Sequence, residues 1–477
     1  MKENIIGRNN EKDALNRIYT SRKSEFVAVC GRRRVGKTFL IREFFETEMV
    51  FQVSGIAGGS TQEQLKNFYY TLRRYDKNAT TLPEDWLDAF EMLISYLDSL
   101  TIRRKVIFLD ELPWMDTTGA NFISALEHFW NGWASARKDI VLIVCGSATS
   151  WMMDKLINNH GGLYGRLTHR LYLSPFTLRE TELFLHSKGL PLSRYEVAEA
   201  YMILGGIPYY IDLLDERQSL AQNIDRLLFN PNGELYNEFS ILFRSLFKDS
   251  EAYVKVVECL NQKGYGMTRT EIADAVKMKS GKTLTTILDN LESCGFIRKY
   301  NHYGCAQRKA LYQLIDFFTL FHFRFLRDSS FRNLLYWSQL QRTPRFYAWA
   351  GISFELLAQC HIAQIKQKLG IAGVATNTYS WRSKNSEDEN EHAAQIDLVI
   401  DRGDNTVNLC EMKFSENEFT ITKDYEQNLR NKIGLFAEET HTRKSIQLTL
   451  VTSFGLKQGK YSGIAQTEVL LDDLFAV

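Results

Sequence analysis

Gly31-Arg32-Arg33-Arg34-Val35-Gly36-Lys37-Thr38 follows directly on the apolar run Phe26-Val27-Ala28-Val29-Cys30. The octet fits the glycine, four residues, Gly-Lys-Thr pattern of a loop that cradles phosphate. The glycines let the backbone wrap closely enough for its N–H groups to face phosphate oxygens. Lys37 can then reach the β- and γ-phosphates, and the Thr38 hydroxyl can ligate Mg²⁺. The segment Phe39-Leu40-Ile41-Arg42-Glu43-Phe44-Phe45 reads as a helix, which would place a triphosphate at a helix N-terminus. Gly31, Arg34, Gly36, Lys37 and Thr38 are therefore the candidate nucleotide-binding residues, with ATP and Mg²⁺ as the expected ligands.

Working outward, a phosphate loop needs a carboxylate for the metal and a group that prepares the attacking water. Val106-Ile107-Phe108-Leu109-Asp110-Glu111 is an apolar run of buried-strand type that ends in two acids. Asp110 is expected beside Mg²⁺, and Glu111 as the general base. The bland alternative is a strand followed by a solvated acidic turn. A third run, Ile140 to Cys145, leads into Gly146-Ser147. Ser147 is read either as a contact to the γ-phosphate or attacking water, or as a helix N-cap. Helical stretches at about residues 61–75, 85–100 and 119–135 alternate with these strands, the pattern of an α/β domain with a mostly parallel sheet.

With 477 residues the chain is too long for one ordinary core. Lysine and arginine total 58 against 57 acids, so bulk charge gives no argument for nucleic acid, and any such surface must be a local patch. The seven cysteines form no C-x-x-C pair, and Cys30, Cys145 and Cys410 lie in apolar runs as buried thiols. The start Met1-Lys2-Glu3-Asn4 lacks an apolar signal region, and no uncharged apolar stretch has membrane-spanning length. A cytoplasmic protein without membrane contact is expected.

Further motifs surround the loop: Ile6-Gly7-Arg8-x-x-Glu11 before it, then Arg166-Leu167-Thr168, Leu173-Ser174-Pro175-Phe176 and Leu204-Gly205-Gly206-Ile207-Pro208-Tyr209-Tyr210. Over about residues 1–230 this combination resembles the archaeal-type ATPases of the AAA+ and signal-transduction ATPase group of P-loop NTPases. The resemblance implies that Pro208, in a helical lid, touches adenine or ribose, and that Arg166 or Arg170 senses the γ-phosphate. Read from the residues alone, Pro208 equally breaks the chain between two helices, and Arg166 equally serves as a solvated surface group.

Beyond Asn230-Pro231-Asn232-Gly233 the pattern changes. An amphipathic helix near Tyr253 to Leu260, two short helices from Thr268 and Lys279, and strands at Phe296-Tyr300 and Ala310-Leu314 resemble a winged helix-turn-helix. In such a fold the second helix enters the major groove, which makes Lys279, Lys282 and Thr283 candidate phosphate contacts, with Arg298 and Lys299 flanking the wing. A lid or protein-contact module is the alternative. The aromatic stretch Phe317 to Trp337 is spaced as a helical core between domains.

Near the C-terminus, Gln395-Ile396-Asp397-Leu398-Val399-Ile400 and Val407-Asn408-Leu409-Cys410-Glu411-Met412-Lys413 flank the polar turn Arg402-Gly403-Asp404-Asn405, as in a hairpin. A turn near Asp404 sets Asp397 opposite Glu411, and the two-residue step to Lys413 keeps both side chains on one face. Two acids for a metal and a lysine for the attacking water are what a metal-dependent phosphodiesterase needs. The arrangement looks like the core of restriction-endonuclease-like (PD-(D/E)xK) nucleases, with Ile396 where proline often stands. The resemblance adds Glu355 as an upstream acid and Gln427 in the following helix. A charged edge hairpin, or the same fold without activity, are the alternatives.

The expected architecture is a P-loop ATPase core (1–175), a helical lid (176–232), a winged helix-turn-helix (240–316), a helical connector (317–345) and an α/β nuclease-like domain (346–477). The expected function is ATP hydrolysis coupled to a DNA-acting, Mg²⁺-dependent nuclease-like domain. The alternative is a nucleotide-controlled switch that binds DNA or a protein partner through an inactive nuclease fold.

Overall fold

The computed structural model describes residues 5–477 apart from 147–148, 158–162, 164, 248, 265, 305–309, 328–333 and 384–393. The chain divides into two units, Met1–Pro175 and Phe176–Val477.

In the first unit, β1 (Glu25–Gly31), β2 (Met49–Ser54), β3 (Lys105–Asp110), β4 (Ile140–Cys145) and β5 (His169–Leu173) form one sheet in the order β2-β3-β4-β1-β5. Every pairing in it is parallel. Parallel sheets are covered on both faces, so their inner strands are apolar at successive positions rather than alternately. All residues of β1, β3 and β4 are accordingly buried. The crossovers are helical, among them Thr61–Tyr75 and Trp86–Ser99. Ser60 and Glu63 cap the first reciprocally, and Asp85 caps the second. Phe68, Trp86, Phe90 and Phe122 pack these helices on the sheet. With β1 between β4 and β5, its C-terminal tip opens on the crevice where such sheets bind ligands.

The second unit begins with helices Leu178–Ser187 and Arg194–Leu204, each closed by a capping box, Thr177 with Glu180 and Ser193 with Glu196. Helix Ser250–Gln262 precedes a small sheet of β6 (Met267–Thr268), β7 (Ile297–Tyr300) and β8 (Leu311–Leu314), ordered β6-β8-β7, with helices Arg269–Ala275 and Lys282–Ser293 between β6 and β7. The aromatic stretch is a helical core. Trp337 is fully buried, and ring centroids of Phe321, Phe325, Phe346 and Trp349 lie 5.0, 5.3, 5.8 and 5.2 Å from it.

The last sheet runs β13-β12-β11-β10-β9, with β9 (Thr376–Arg382), β10 (Gln395–Arg402), β11 (Thr406–Lys413), β12 (Ser445–Thr452) and β13 (Thr467–Leu470). The β9, β10 and β11 pairings are antiparallel, and those of β11, β12 and β13 are parallel. Between β10 and β11, Asn405 takes a left-handed φ of 61°, the conformation a tight hairpin turn requires. Helix Lys423–Thr440 makes the crossover from β11 to β12, burying Leu429 and Phe436.

Candidate functional site

The phosphate loop leaves β1 at Gly31, whose φ is 142° and whose Cβ, if present, would lie 2.4 Å from the Leu173 carbonyl oxygen. Only glycine fits there. Arg34 and Gly36 also take positive φ, 72° and 88°, and Gly36 opens helix Lys37–Phe44. The buried Lys37 ammonium folds back across the loop and donates to the Gly31 and Arg32 carbonyls at 2.8 and 2.9 Å. Thr38 Oγ1 donates to Asp110 Oδ2 at 2.9 Å, and Ser54 Oγ reaches the same oxygen at 3.4 Å. The other Asp110 oxygen accepts the Glu111 N–H at 3.0 Å. A hydroxyl and a carboxylate held together beside a lysine are hard oxygen donors of the kind Mg²⁺ takes with a nucleotide phosphate. Glu111 sits at φ 48°, a left-handed conformation that costs a non-glycine residue about 1–3 kcal/mol. That kink turns the chain from β3 into helix Leu112–Met115.

A second set of charges lies on the last sheet. The β10–β11 register pairs Leu398 with Cys410, and one step further the strands carry Asp397 and Glu411. Glu411 is buried; its Oε1 accepts from Tyr425 Oη at 2.9 Å and pairs with Lys413 at 3.2 Å, while Oε2 pairs with Lys432 at 2.9 Å. Burial works against ionisation of Glu411, but Lys432 and Lys413 outweigh it and hold the carboxyl below its usual range. Asp397 goes the other way, raised by burial and by Glu411, although Gln395 Nε2 donates to its Oδ1 at 2.6 Å. Glu355, from helix Pro344–Cys360, is pushed up to about 8 by burial and then by Asp397 and Glu411. The donor chemistry of Glu355 and Asp397 fits a hard divalent cation. Glu411, held by Tyr425 and two lysines, would join only on releasing them. Among the described residues no three His, Cys, Asp or Glu side chains are grouped so as to hold a metal ion as they stand.

Residues 6–214 match the family of ATPase domains predominantly from Archaea. This part of the chain is an archaeal-type ATPase domain. The match supports nucleotide binding by this domain. An uncharacterised protein of Methanocaldococcus jannaschii is 26% identical over 325 residues, covering 68% of this chain and 69% of the relative. Among solved structures, the chain is similar to a Walker-type ATPase of Pyrococcus abyssi (19% identity, 67% of this chain and 95% of that one, TM-score 0.48). It is also similar to the ORC2 protein of Aeropyrum pernix in ADPNP–ADP complexes (15% identity, 76% and 97%, TM-score 0.40).

Within the ATPase domain, Arg8 is the contributor that sequence reasoning left without a role. Its buried guanidinium donates to the Val35 carbonyl of the loop at 3.1 Å and pairs with Glu11 at 3.5 Å. The Arg8-x-x-Glu11 spacing, one helical turn, was the available signal. Arg166 is not brought to the loop. Val27 pairs with His169 and Gly31 with Leu173, so the residues before β5 lie at the opposite edge of a parallel sheet. From Phe26, which bonds Thr168, to Gly31 is five residues, roughly 16 Å of strand. Arg166 and Arg170 are both exposed, and Arg170 stands across from Ala28 in mid-strand. Ser147 lies outside the described residues. Pro208 belongs to the second unit, where it starts helix Pro208–Asp212 as its first residue after the left-handed Gly205 and Gly206.

One expectation in the second unit is corrected. Gln427 is exposed on its helix, and the side chains that reach Glu411 are Tyr425 and Lys432. With Leu429 and Phe436 they mark one helical face at steps of three and four, from which Gln427 is turned away. Arg298 lies in β7 of the hairpin, half-buried, and donates to Gln313 Oε1 at 2.9 Å and to Gln359 Oε1. Lys279, Lys282, Thr283 and Lys299 are exposed. Among the described residues, no helix is long and apolar enough to cross a membrane.

Proposed function

We propose that the chain hydrolyses ATP with Mg²⁺ at the phosphate loop and uses its nucleotide state to control a Mg²⁺-dependent phosphodiesterase acting on DNA, carried by residues 346–477. The observation behind the second half is that Glu355, Asp397 and Glu411 gather around Lys413, which pairs with Glu411 at 3.2 Å, closely enough for the three carboxyls to shift in ionisation. The antiparallel β9–β11 joined to parallel β11–β13 supports a restriction-endonuclease-like reading of that domain. The order helix, two helices and hairpin over residues 250–314 supports a winged-helix reading, with Lys279, Lys282 and Thr283 exposed toward a phosphate backbone.

At the loop, Thr38 and Asp110 would hold Mg²⁺ and Lys37 would exchange the loop carbonyls for phosphate oxygens. Glu111 would take the proton of the water whose oxygen attacks the γ-phosphorus, with ADP as the leaving group. At the second site, Asp397, Glu355 and Glu411 would hold the metal, which supplies charge neutralisation and a more acidic bound water. Lys413 would orient the attacking water as the P–O bond to the leaving strand breaks. A second reading, a DNA- or protein-binding switch with an inactive site, is favoured by the saturation of Glu411 by Tyr425, Lys413 and Lys432. Incubating plasmid and linear DNA with Mg²⁺ or Mn²⁺, with and without ATP, separates the two. Cleavage that Asp397→Ala abolishes supports the phosphodiesterase. Tight binding without cleavage under every condition supports the switch.

A further inference from the structure

Beside Glu355 and Asp397, inside the second unit, is a cavity of about 430 Å³. Arg298 and Tyr300 of β7 form one wall, Trp349 and Glu355 of helix Pro344–Cys360 another, and Trp381 and Asp397 of β9 and β10 a third. The β7 side is fixed in place. Just past β7, the Tyr303 N–H donates to the Ser380 carbonyl at 2.8 Å, and His302 Nδ1 and Ser380 Oγ lie 2.9 Å apart. The Tyr303 ring packs on Phe436 and Tyr379 at 5.1 and 5.5 Å.

A guanidinium and two carboxyls line this one space. Among the described residues Arg298 has no carboxylate partner; two glutamine oxygens hold it. Across the cavity, neither Glu355 nor Asp397 forms an ion pair among the described residues; Lys413 and Lys432 pair with Glu411 and reach the two acids only at longer range. Uncompensated charge away from water is costly. A ligand that brings an anionic phosphate to Arg298 and shares a cation with the carboxylates relieves both. Trp349 is buried, its ring packed against Phe321, Phe325 and Trp337, so this wall is rigid. The walls carry aromatic rings, against which bases stack. Small-molecule sites run from about 300 to 1,000 Å³, so the volume suits one nucleotide and not a base-paired segment.

We propose that this cavity seats the terminal nucleotide of a single DNA strand, with a phosphate held between Arg298 and the Glu355–Asp397 pair. The proposal rests on reading those acids as a phosphodiesterase centre, and it makes the substrate a strand end rather than the interior of a duplex.

The test is fluorescence anisotropy on the full chain, with Ca²⁺ in place of Mg²⁺ so that no turnover is needed. The probe is an internally labelled single strand of about 12 nucleotides, a typical single-strand site size. The competitors are the same sequence as a circle, as an end-sealed duplex and as RNA. Linear DNA is expected to bind at least about tenfold tighter than each competitor. Arg298→Ala is expected to remove that preference. So is Ile352→Trp, which fills the mouth at a residue 61% exposed and carries little risk to folding. Equal binding of the circle, the duplex or RNA would overturn the proposal. So would unchanged end preference in both variants at wild-type thermal stability. Metal-dependent cutting of closed circular duplex, lost in Asp397→Ala, would sink the end-seat while leaving the phosphodiesterase intact. End-specific binding without cutting would support the seat and remove the phosphodiesterase.

Discussion

Both units carry carboxylates on a five-stranded sheet, yet the two sets are balanced differently. Asp110 is met by the hydroxyls of Thr38 and Ser54 and by a backbone N–H, all supplied by short segments at the strand tips. Glu355 and Asp397 are instead pushed above their ordinary range by burial and by neighbouring acids, with the Gln395 amide donating to Asp397. The first site is assembled before any ligand arrives. The second holds buried acids above their ordinary range, and preorganisation at one site beside tension at the other is how a control site and a controlled site would differ.

The largest effect should come from the assembled site. Lys37→Ala is expected to lower ATP turnover by about 10²–10³-fold, the scale of losing one preorganised charge-stabilising donor. Phosphate release measures it, and near wild-type turnover would remove the loop from catalysis. A contrast between the acids sharpens the comparison. In metal-free protein Asp397→Asn is expected to raise the melting temperature by about 2–4 °C, because it removes a carboxyl whose ionisation burial and Glu411 oppose. Asp110→Asn, which exchanges a charged acceptor for a weaker one, is expected to raise nothing. Equal shifts would erase the difference.

The sequence made the first site legible because the loop octet is local: eight consecutive residues dictate its backbone, and the apolar runs before Asp110 and Cys145 announce buried parallel strands. Hairpin β10–β11 was legible for the same reason, its turn falling at Asp404-Asn405 between two apolar strands. What sequence left out depends on distant parts of the chain. Arg8 meets Val35 across 27 positions, and Tyr425 and Lys432 reach Glu411 from a separate helix. Arg298 reads as a wing residue by spacing, yet its hairpin is docked on Ser380, 78 positions after His302. Arg166 was misplaced because its motif carries no information about which edge of the sheet it occupies.

A smaller effect should appear in pH dependence. The Glu355 carboxyl sits at about 8 in the folded chain, above its ordinary 4.5, so the folded state binds more protons between those values. Stability contributed by the protonated form is present at low pH and is lost as pH rises towards 8. Glu355→Gln should therefore melt progressively higher than wild type from pH 5 to pH 8. A difference that stays flat would show Glu355 to be ordinarily ionised. Smallest of all, Tyr425→Phe should cost about 1 kcal/mol by removing one hydrogen bond from Glu411. Gln427→Ala, on the exposed side of the same helix, should stay within about 0.5 kcal/mol. Chemical denaturation measures both.

The proposed function requires two separate cation sites, one completed by nucleotide and one by the C-terminal acids. Mn²⁺ binding followed by electron paramagnetic resonance tests it most directly, with and without a non-hydrolysable ATP analogue. The account predicts one class of bound Mn²⁺ without nucleotide, abolished by Asp397→Asn, and a second class that appears with the analogue and is abolished by Thr38→Ala. A single class that requires the analogue and is untouched by Asp397→Asn would contradict it.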